Sequence, residues 1–504
     1  MRVMFLNPPF HARFSRESRS PAVAKSGTLY FPKWLCYAAG VAIKAGHEVD
    51  VVDGPAWEVD VQYVADRIES KNIEALVCDT STPSIVNDLK VVEDLQSRFP
   101  KMKILMVGRH VSSMMEDTFK RAPAVQYVAL REYEYTVRDW LEAVSSGASM
   151  DSVLGLAWRN DKGEIVKNAP RPAIENLDEL PFVTEVYKRF LRVEDYFYGH
   201  SLWPLVVFDT SRGCPYRCTF CVYPQTFSGH KMRYRSVANV ADEFDYVARE
   251  LPQVKTIMLE DDTFIIDKDR TLELANELVK RGNKIPFDSN CRADVRADAD
   301  FFKQLKKAGA RLFCVGFESG NNEVLKHVRK NLNLEMTENF MKNTREAGIM
   351  VHGCFMVGNL NETQGTMQET LELAKKLMPD TAQFFPIMVY PGTAAYEEAK
   401  QRGLLETEDY SAWLTADGLH NSVVNLPNLT HRELVEFCDR ARREFYLSPK
   451  YLLHKAKQSI TNPAEFQRNV KGFSKLVKYL TKGSFGKDEP SNRHSPEKQN
   501  NVHA

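Results

Sequence analysis

No stretch of this sequence is apolar for long enough to cross a bilayer, and no charge of one sign prevails. Lys plus Arg and Asp plus Glu both number 67, so no net field argues for a nucleic-acid partner. The nine cysteines are an odd set without disulfide-like spacing, which fits a reducing compartment and a cytoplasmic protein. No G-x-G-x-x-G follows the first apolar run, which weakens a dinucleotide reading. Met1 to Leu6 reads as a short strand entering Asn7-Pro8-Pro9, not as a signal peptide. At 504 residues there is room for two or three domains.

What is present is a cysteine loop. Thr210 to Cys221 carries Cys214, Cys218 and Cys221 at C-x3-C-x2-C, directly after the apolar run Leu205 to Phe208. That run reads as a buried strand, so the cysteines sit where α/β folds place their chemistry, at a strand's carboxyl end. Three thiolates can hold three corners of a 4Fe-4S cluster and leave the fourth iron open to a ligand. The competing readings are a zinc site or a disulfide pair. A structural zinc site wants four ligands, and no fourth Cys or His falls at a usual spacing.

The first ~150 residues alternate strand and helix patterns. Strands are predicted at Arg2 to Leu6, Glu48 to Val52, Ala75 to Cys78, Ile104 to Val107 and Val125 to Leu130, with helical stretches such as Trp34 to Ala45 and Asn87 to Phe99. This alternation argues a doubly wound, Rossmann-like parallel sheet for residues 1–150. A hairpin from Leu154 to Lys167 and a proline- and aromatic-rich linker follow, giving 151–203 as a connecting region. Six further βα units, from Leu205 to about Lys400, argue a partial (βα)6 barrel over 204–402.

Beyond it the pattern is helical over 403–482, with a capping box expected at Leu429 to Glu433. Lys450 to Lys482 holds eight Lys or Arg and one acidic residue, Glu465, with Val470, Phe473, Val477 and Leu480 as an apolar stripe. Such a helix either packs on the barrel with a solvated basic face or lies against an anionic membrane surface. The polar tail 483–504 is expected to be disordered.

The cysteine spacing, with Phe220 before the third cysteine, resembles the signature of the radical S-adenosylmethionine (SAM) enzymes. The opening Asn-Pro-Pro, Lys44 to Val49 and the Gly108 to Ser112 turn resemble the cobalamin-binding domain that precedes the barrel in one branch of that family. The resemblance implies a 4Fe-4S cluster, SAM and cobalamin as cofactors, and a flavodoxin- or ferredoxin-type electron donor. Cys214, Cys218 and Cys221 become the catalytic cluster ligands. Phe220, Glu260, Asp261, Asp262, Asn290, Arg292 and Glu318 take the positions of SAM contacts. The cobalamin mutase motif Asp-x-His-x-x-Gly is missing, so cobalt is expected without a histidine below it, and Thr80, Ser81, Thr82 and Gly108 would lie near the corrin. The usual Leu-Pro-Gly-Glu-Thr turn stands here as Asn359 to Thr363, so that loop is expected to depart from the family's turn geometry.

Leu180 to Arg189, Asp195 to Gly199 and Cys218 to Val237 resemble the hopanoid-biosynthesis members of the cyclitol branch. That likeness implies a lipid or other small-molecule substrate and ring contraction of a sugar head group, with peripheral membrane contact through the basic helix. The rivals are a methyltransferase using methylcobalamin, and an iron-sulfur electron carrier or sensor without turnover of SAM. Tyr223 to Thr226 and His230 to Arg235 are either substrate- or cobalamin-facing or loop packing, with Arg233 and Arg235 as phosphate or carboxylate partners. The six cysteines outside the loop are expected to be buried and inert, Cys291 being the foremost exception.

Overall fold

The computed structural model describes residues 1–461 and 463–484. The predicted disordered tail therefore lies, from 485 on, outside the described residues, as does the side chain of Phe473.

The first domain is a parallel sheet of β1 (Arg2–Asn7), β2 (Glu48–Asp53), β3 (Ala75–Thr80), β4 (Lys103–Gly108) and β5 (Tyr127–Ala129), in the order β2-β1-β3-β4-β5. This doubly wound order places the switch point between β1 and β3, with the strand carboxyl ends on one edge. Val3 to Leu6 and Ala75 to Cys78 are entirely buried, as helices on both faces require. The hairpin β6 (Leu156–Arg159) and β7 (Ile165–Lys167) adds antiparallel to β5. It thus completes the first sheet and is not part of a free linker.

The second domain has β8 (Leu205–Phe208), β9 (Thr256–Leu259), β10 (Phe287–Cys291), β11 (Ala310–Glu318), β12 (Met350–Val357) and β13 (Thr381–Pro386), all parallel and in sequence order. β13 ends at Pro386, after which the Ile387 backbone N still donates to the Val357 carbonyl at 2.8 Å. β8 and β13 stand at opposite ends of this sheet, as an incomplete barrel requires. Segment 15–30, irregular in sequence and tied to the barrel, crosses this region. Arg19 pairs with Asp262 at 3.0 Å, the Ser20 and Tyr390 hydroxyls are 3.0 Å apart, and Leu29 bridges to Phe197.

The helix His431–Tyr446 starts on a capping box between Thr430 and Glu433. The last helix, Pro463–Lys482, docks on the barrel base. Arg311 donates to Glu465 at 2.8 Å and pairs with Asp288 at 3.0 Å, while Arg468 donates to Glu465 at 2.6 Å. Leu480 is buried whereas Val470 and Val477 remain exposed. No helix among the described residues is long and apolar enough to cross a membrane.

The turn after β12 carries a titratable group with a measurable signature. Burial pushes the Glu362 carboxyl up from 4.5 to about 7, although Asn359 donates to it through its backbone N at 2.8 Å and its side-chain amide at 3.0 Å. An acid with a raised folded pKa contributes stability below its unfolded pKa and loses it as pH rises through the folded value. Unfolding free energy therefore falls between about pH 4.5 and 7 through this residue. Glu362→Gln keeps the accepting oxygen, so denaturation midpoints measured across that window should show a shallower decline in the variant. An identical pH slope in both proteins contradicts the assignment.

Candidate active site

The cysteine loop leaves β8 through Asp209 and Thr210, and a buried carboxylate fixes its course. Asp261 accepts from the Thr210 backbone N and hydroxyl, both at 2.6 Å, and from the Ser211 hydroxyl at 2.8 Å. Gly213 has φ +92°, and a Cβ there would overlap the Lys231 carbonyl, so only glycine fits the turn. Gln225 closes the far side, its amide donating to the carbonyls of Cys218 and Thr219, each at 3.3 Å, and of Cys221 at 2.7 Å. Its oxygen in turn accepts from the Ala394 backbone at 3.0 Å. The result is three free thiols on the wall of one large cavity of about 740 Å³.

Phe220, Glu260, Asp262, Asn290, Arg292 and Glu318 line the same cavity. Asp261 does not, since both its oxygens are used inside the loop; the position named from the sequence as a cofactor contact is a positioning residue. Glu318 sits at φ +62°, a strained conformation for a non-glycine residue, beside a register shift in the β11–β12 pairing. The Lys330 ammonium holds it at 2.7 Å. Arg292 is not a free anion partner. It pairs with Asp294 at 2.8 Å, stacks 3.6 Å over the Tyr216 ring and points a guanidinium N to 3.5 Å from the Cys218 sulfur. Sequence reading missed Arg19 and Lys330, which lie outside any motif, and Tyr216, an unspecified position inside the cysteine motif.

The tested loop arginines also find partners within the chain. Arg233 makes a two-pronged pair with Glu132 at 2.6 and 2.7 Å, and Arg235 pairs with Glu243 at 2.5 Å, all of them buried. Neither is available to a phosphate. Tyr223 is packed between Arg19 and Arg109, each guanidinium 4.8 Å from its ring.

At the strand ends of the first domain, Ser81 and Thr82 face a cleft shared with Arg19, Arg109, Tyr390 and Pro391. Thr80 is turned away, its hydroxyl donating to the Val107 carbonyl at 2.7 Å. Gly108 serves the sheet, because a Cβ there would lie 2.5 Å from the Thr80 carbonyl oxygen. Thr80 and Gly108 are thus removed from the ligand-facing set.

Residues 209–374 match the radical SAM superfamily and residues 19–141 the B12 binding domain. The chain is a radical SAM enzyme with a B12-binding domain. It is 28% identical over 454 residues to an uncharacterized methyltransferase of Pyrococcus horikoshii, covering 90% of this chain and 94% of that one. It is 27% identical to the cytidylyl-2-hydroxyethylphosphonate methyltransferase of Streptomyces wedmorensis (82% and 86% covered). With the hopanoid C-3 methylase of Methylococcus capsulatus it shares 24% identity (73% and 68%). The solved cobalamin-dependent SAM radical enzyme OxsB superposes with TM-score 0.69 at 17% identity, over 95% of this chain and 72% of that one. The methyltransferase TsrM of Kitasatospora setae gives TM-score 0.67 at 18% identity, with 89% of each chain covered.

The cofactors of this radical SAM enzyme are a 4Fe-4S cluster, SAM and cobalamin, and its residues can be tested against each. For the cluster, three free thiols face open space. Burial pushes Cys214 up to about 11 and Cys221 up to about 12, so iron loading must displace their protons. For SAM, Glu260, Asp262 and Glu318 offer carboxylates to an ammonium or ribose. For cobalamin, Asp79 Oδ2, Arg109 Nη1 and His110 Nε2 are buried without partners, a polar set suited to the amide fringe of a corrin beside Ser81 and Thr82. Room is the constraint. The cleft there measures about 10 Å³, one water's worth, because Arg109 reaches back to the carbonyls of Arg16 and Ser18, and Tyr410 packs against His110.

Proposed function

We propose that this enzyme modifies an unactivated carbon of an extended, amphiphilic small molecule, with methyl transfer as the product-forming step. One observation carries the reading: a single cavity runs from the three cysteines to the C-terminal helices, with Phe384, Phe385 and Met388 beside Arg442, Lys455 and Arg468 on its wall. Apolar walls with a few polar groups suit a molecule with both a hydrocarbon body and a polar head, although Arg442 and Arg468 already pair with Asp439 and Glu465 and burial lowers the Lys455 pKa to about 7. Relatives named as methyltransferases and a methylase support methyl transfer.

When bound, the cluster and SAM supply a 5′-deoxyadenosyl radical, and cobalamin supplies a transferable methyl group. The chain's own residues do the positioning. Cys214, Cys218 and Cys221 hold the metal, and Asp261 with Gln225 fixes the loop that carries them. Glu260, Asp262 and Glu318 receive the cationic and hydroxyl groups of the co-substrate. Segment 15–30 walls the cavity and keeps water and oxygen from reactive carbon.

A second reading is ring contraction of a hexose-derived head group on a hopanoid, and its support is the likeness of Leu180 to Arg189 and Cys218 to Val237 to that branch. Anaerobic incubation with a hopanoid polyol bearing such a head group separates the two. Methyl transfer to an unactivated carbon yields S-adenosylhomocysteine together with 5′-deoxyadenosine and a mass gain of one methyl, whereas contraction yields neither S-adenosylhomocysteine nor an added methyl. Absence of both nucleoside products contradicts either reading.

A further inference from the structure

Two thiols meet on the cavity wall, away from the cluster loop. Cys314 on β11 and Cys354 on β12 bring their sulfurs to 3.7 Å, and a ring nitrogen of His352 lies with them in a group no wider than 4.8 Å. Their meeting follows from parallel register, which sets Cys314 opposite His352 and Gly316 opposite Cys354. Cys314, Gly316 and Glu318 alternate along one face of β11, and all three line the cavity that Cys214, Cys218 and Cys221 also line. Charged groups also act on the cluster, the Glu318–Lys330 pair on Cys354 and Arg468 on His352. His352 shares a 2.7 Å hydrogen bond with the Thr381 hydroxyl and stacks on His200 at 4.7 Å, and burial lowers the pKa of both rings, His352 to about 4. The hydrogen bond shared with Cys314, with burial, holds the Cys354 thiol well above its usual range, so it keeps its hydrogen. Cys36, Cys78 and Cys438 are by contrast sealed in the core. The expected burial is met by these three, whereas Cys314 and Cys354 are half-buried and face the cavity.

We propose that Cys314 and Cys354 form a dithiol that donates a hydrogen atom to carbon radicals in this cavity. The inference rests on the radical reading above and not on which product forms. An S–H bond is weaker than the C–H bond it makes, so transfer to an alkyl radical runs downhill. The carbon gains one hydrogen atom and one sulfur becomes a thiyl radical. The neighbouring thiol releases its proton to water in the cavity, and the two sulfurs join as a disulfide radical anion. Its surplus electron passes to an oxidised iron-sulfur acceptor, leaving a neutral disulfide. The dithiol has then lost one hydrogen atom, one proton and one electron, and a dithiol-class reductant resets it.

The test needs only SAM as probe. Full-length reconstituted protein, reduced with dithionite in D2O, is incubated with SAM, and deuterium in the released 5′-deoxyadenosine is measured by mass spectrometry. Wild type should return nucleoside carrying one deuterium at the 5′ carbon. Cys314→Ser and Cys354→Ser, whose O–H bonds are too strong to donate, should lower that fraction severalfold at unchanged iron content. In cluster-free protein, diamide should link Cys314 to Cys354 in peptide maps. Equal deuterium in wild type and variants overturns the inference alone, as does a zinc ion held by these two cysteines in the purified protein. No 5′-deoxyadenosine from wild type overturns the radical reading and the inference together.

Discussion

Alanine at Cys214, Cys218 or Cys221 should abolish stable iron loading and reduce SAM cleavage by on the order of 100-fold or more. Loss of an outer-shell partner alone typically costs a metal site about 10–100-fold, and loss of a ligand removes more than that. Each thiol lines the cavity, and two of the three are buried, so water cannot simply replace them at the same position. The measurement is iron and sulfide per chain after anaerobic reconstitution, with 5′-deoxyadenosine as the second readout. The fold should survive. The loop is held by Asp261, Gln225 and Gly213 independently of its sulfurs. A variant that kept full iron and nucleoside cleavage would show that the cluster lies elsewhere.

Arg233 carries the second large effect. Its guanidinium pairs with Glu132 of the first domain, and donates to the Ile174 carbonyl of the linker at 2.8 Å and to the Ser228 carbonyl after the cysteine loop at 2.8 Å. One side chain thus ties three segments, and both charges are buried. Removing one partner of such a pair leaves an uncompensated buried charge, at a cost of about 3–5 kcal/mol. Arg233→Met should therefore lower the denaturant midpoint markedly and open the loop to protease. The double variant Arg233→Met with Glu132→Gln should recover a large part of the loss, since it removes the stranded charge. If the single variant unfolds at the wild-type midpoint, the pair does not join the domains as described.

Much of the architecture was legible because its strands are short apolar runs, a pattern two-sided burial imposes, and four of the first domain end at Asn7, Asp53, Thr80 and Gly108. The cluster loop was legible because its chemistry is local, three sulfurs within eight residues. Distinctions within a strand end were not. Glu260, Asp261 and Asp262 look alike in sequence, yet the middle one turns inward to Thr210 while its neighbours face the cavity. Arg233 and Arg235 read as anion partners because the carboxylates that neutralise them lie 101 and 8 residues away. The Cys314–Cys354 pair was hidden for the same reason, being 40 residues apart and joined only by strand register. A signal existed: stepping back by twos from Glu318 reaches Cys314. Segment 15–30 gave none, since an irregular wall has no period.

The central claim is that three sulfur ligands leave one iron corner vacant beside the carboxylates of the cavity. The direct measurement is electron paramagnetic resonance of the reconstituted, reduced protein before and after addition of SAM. The account predicts a 4Fe-4S spectrum whose g-values shift when SAM occupies the vacant corner. A spectrum that SAM leaves unchanged, with SAM at saturating concentration, would contradict it.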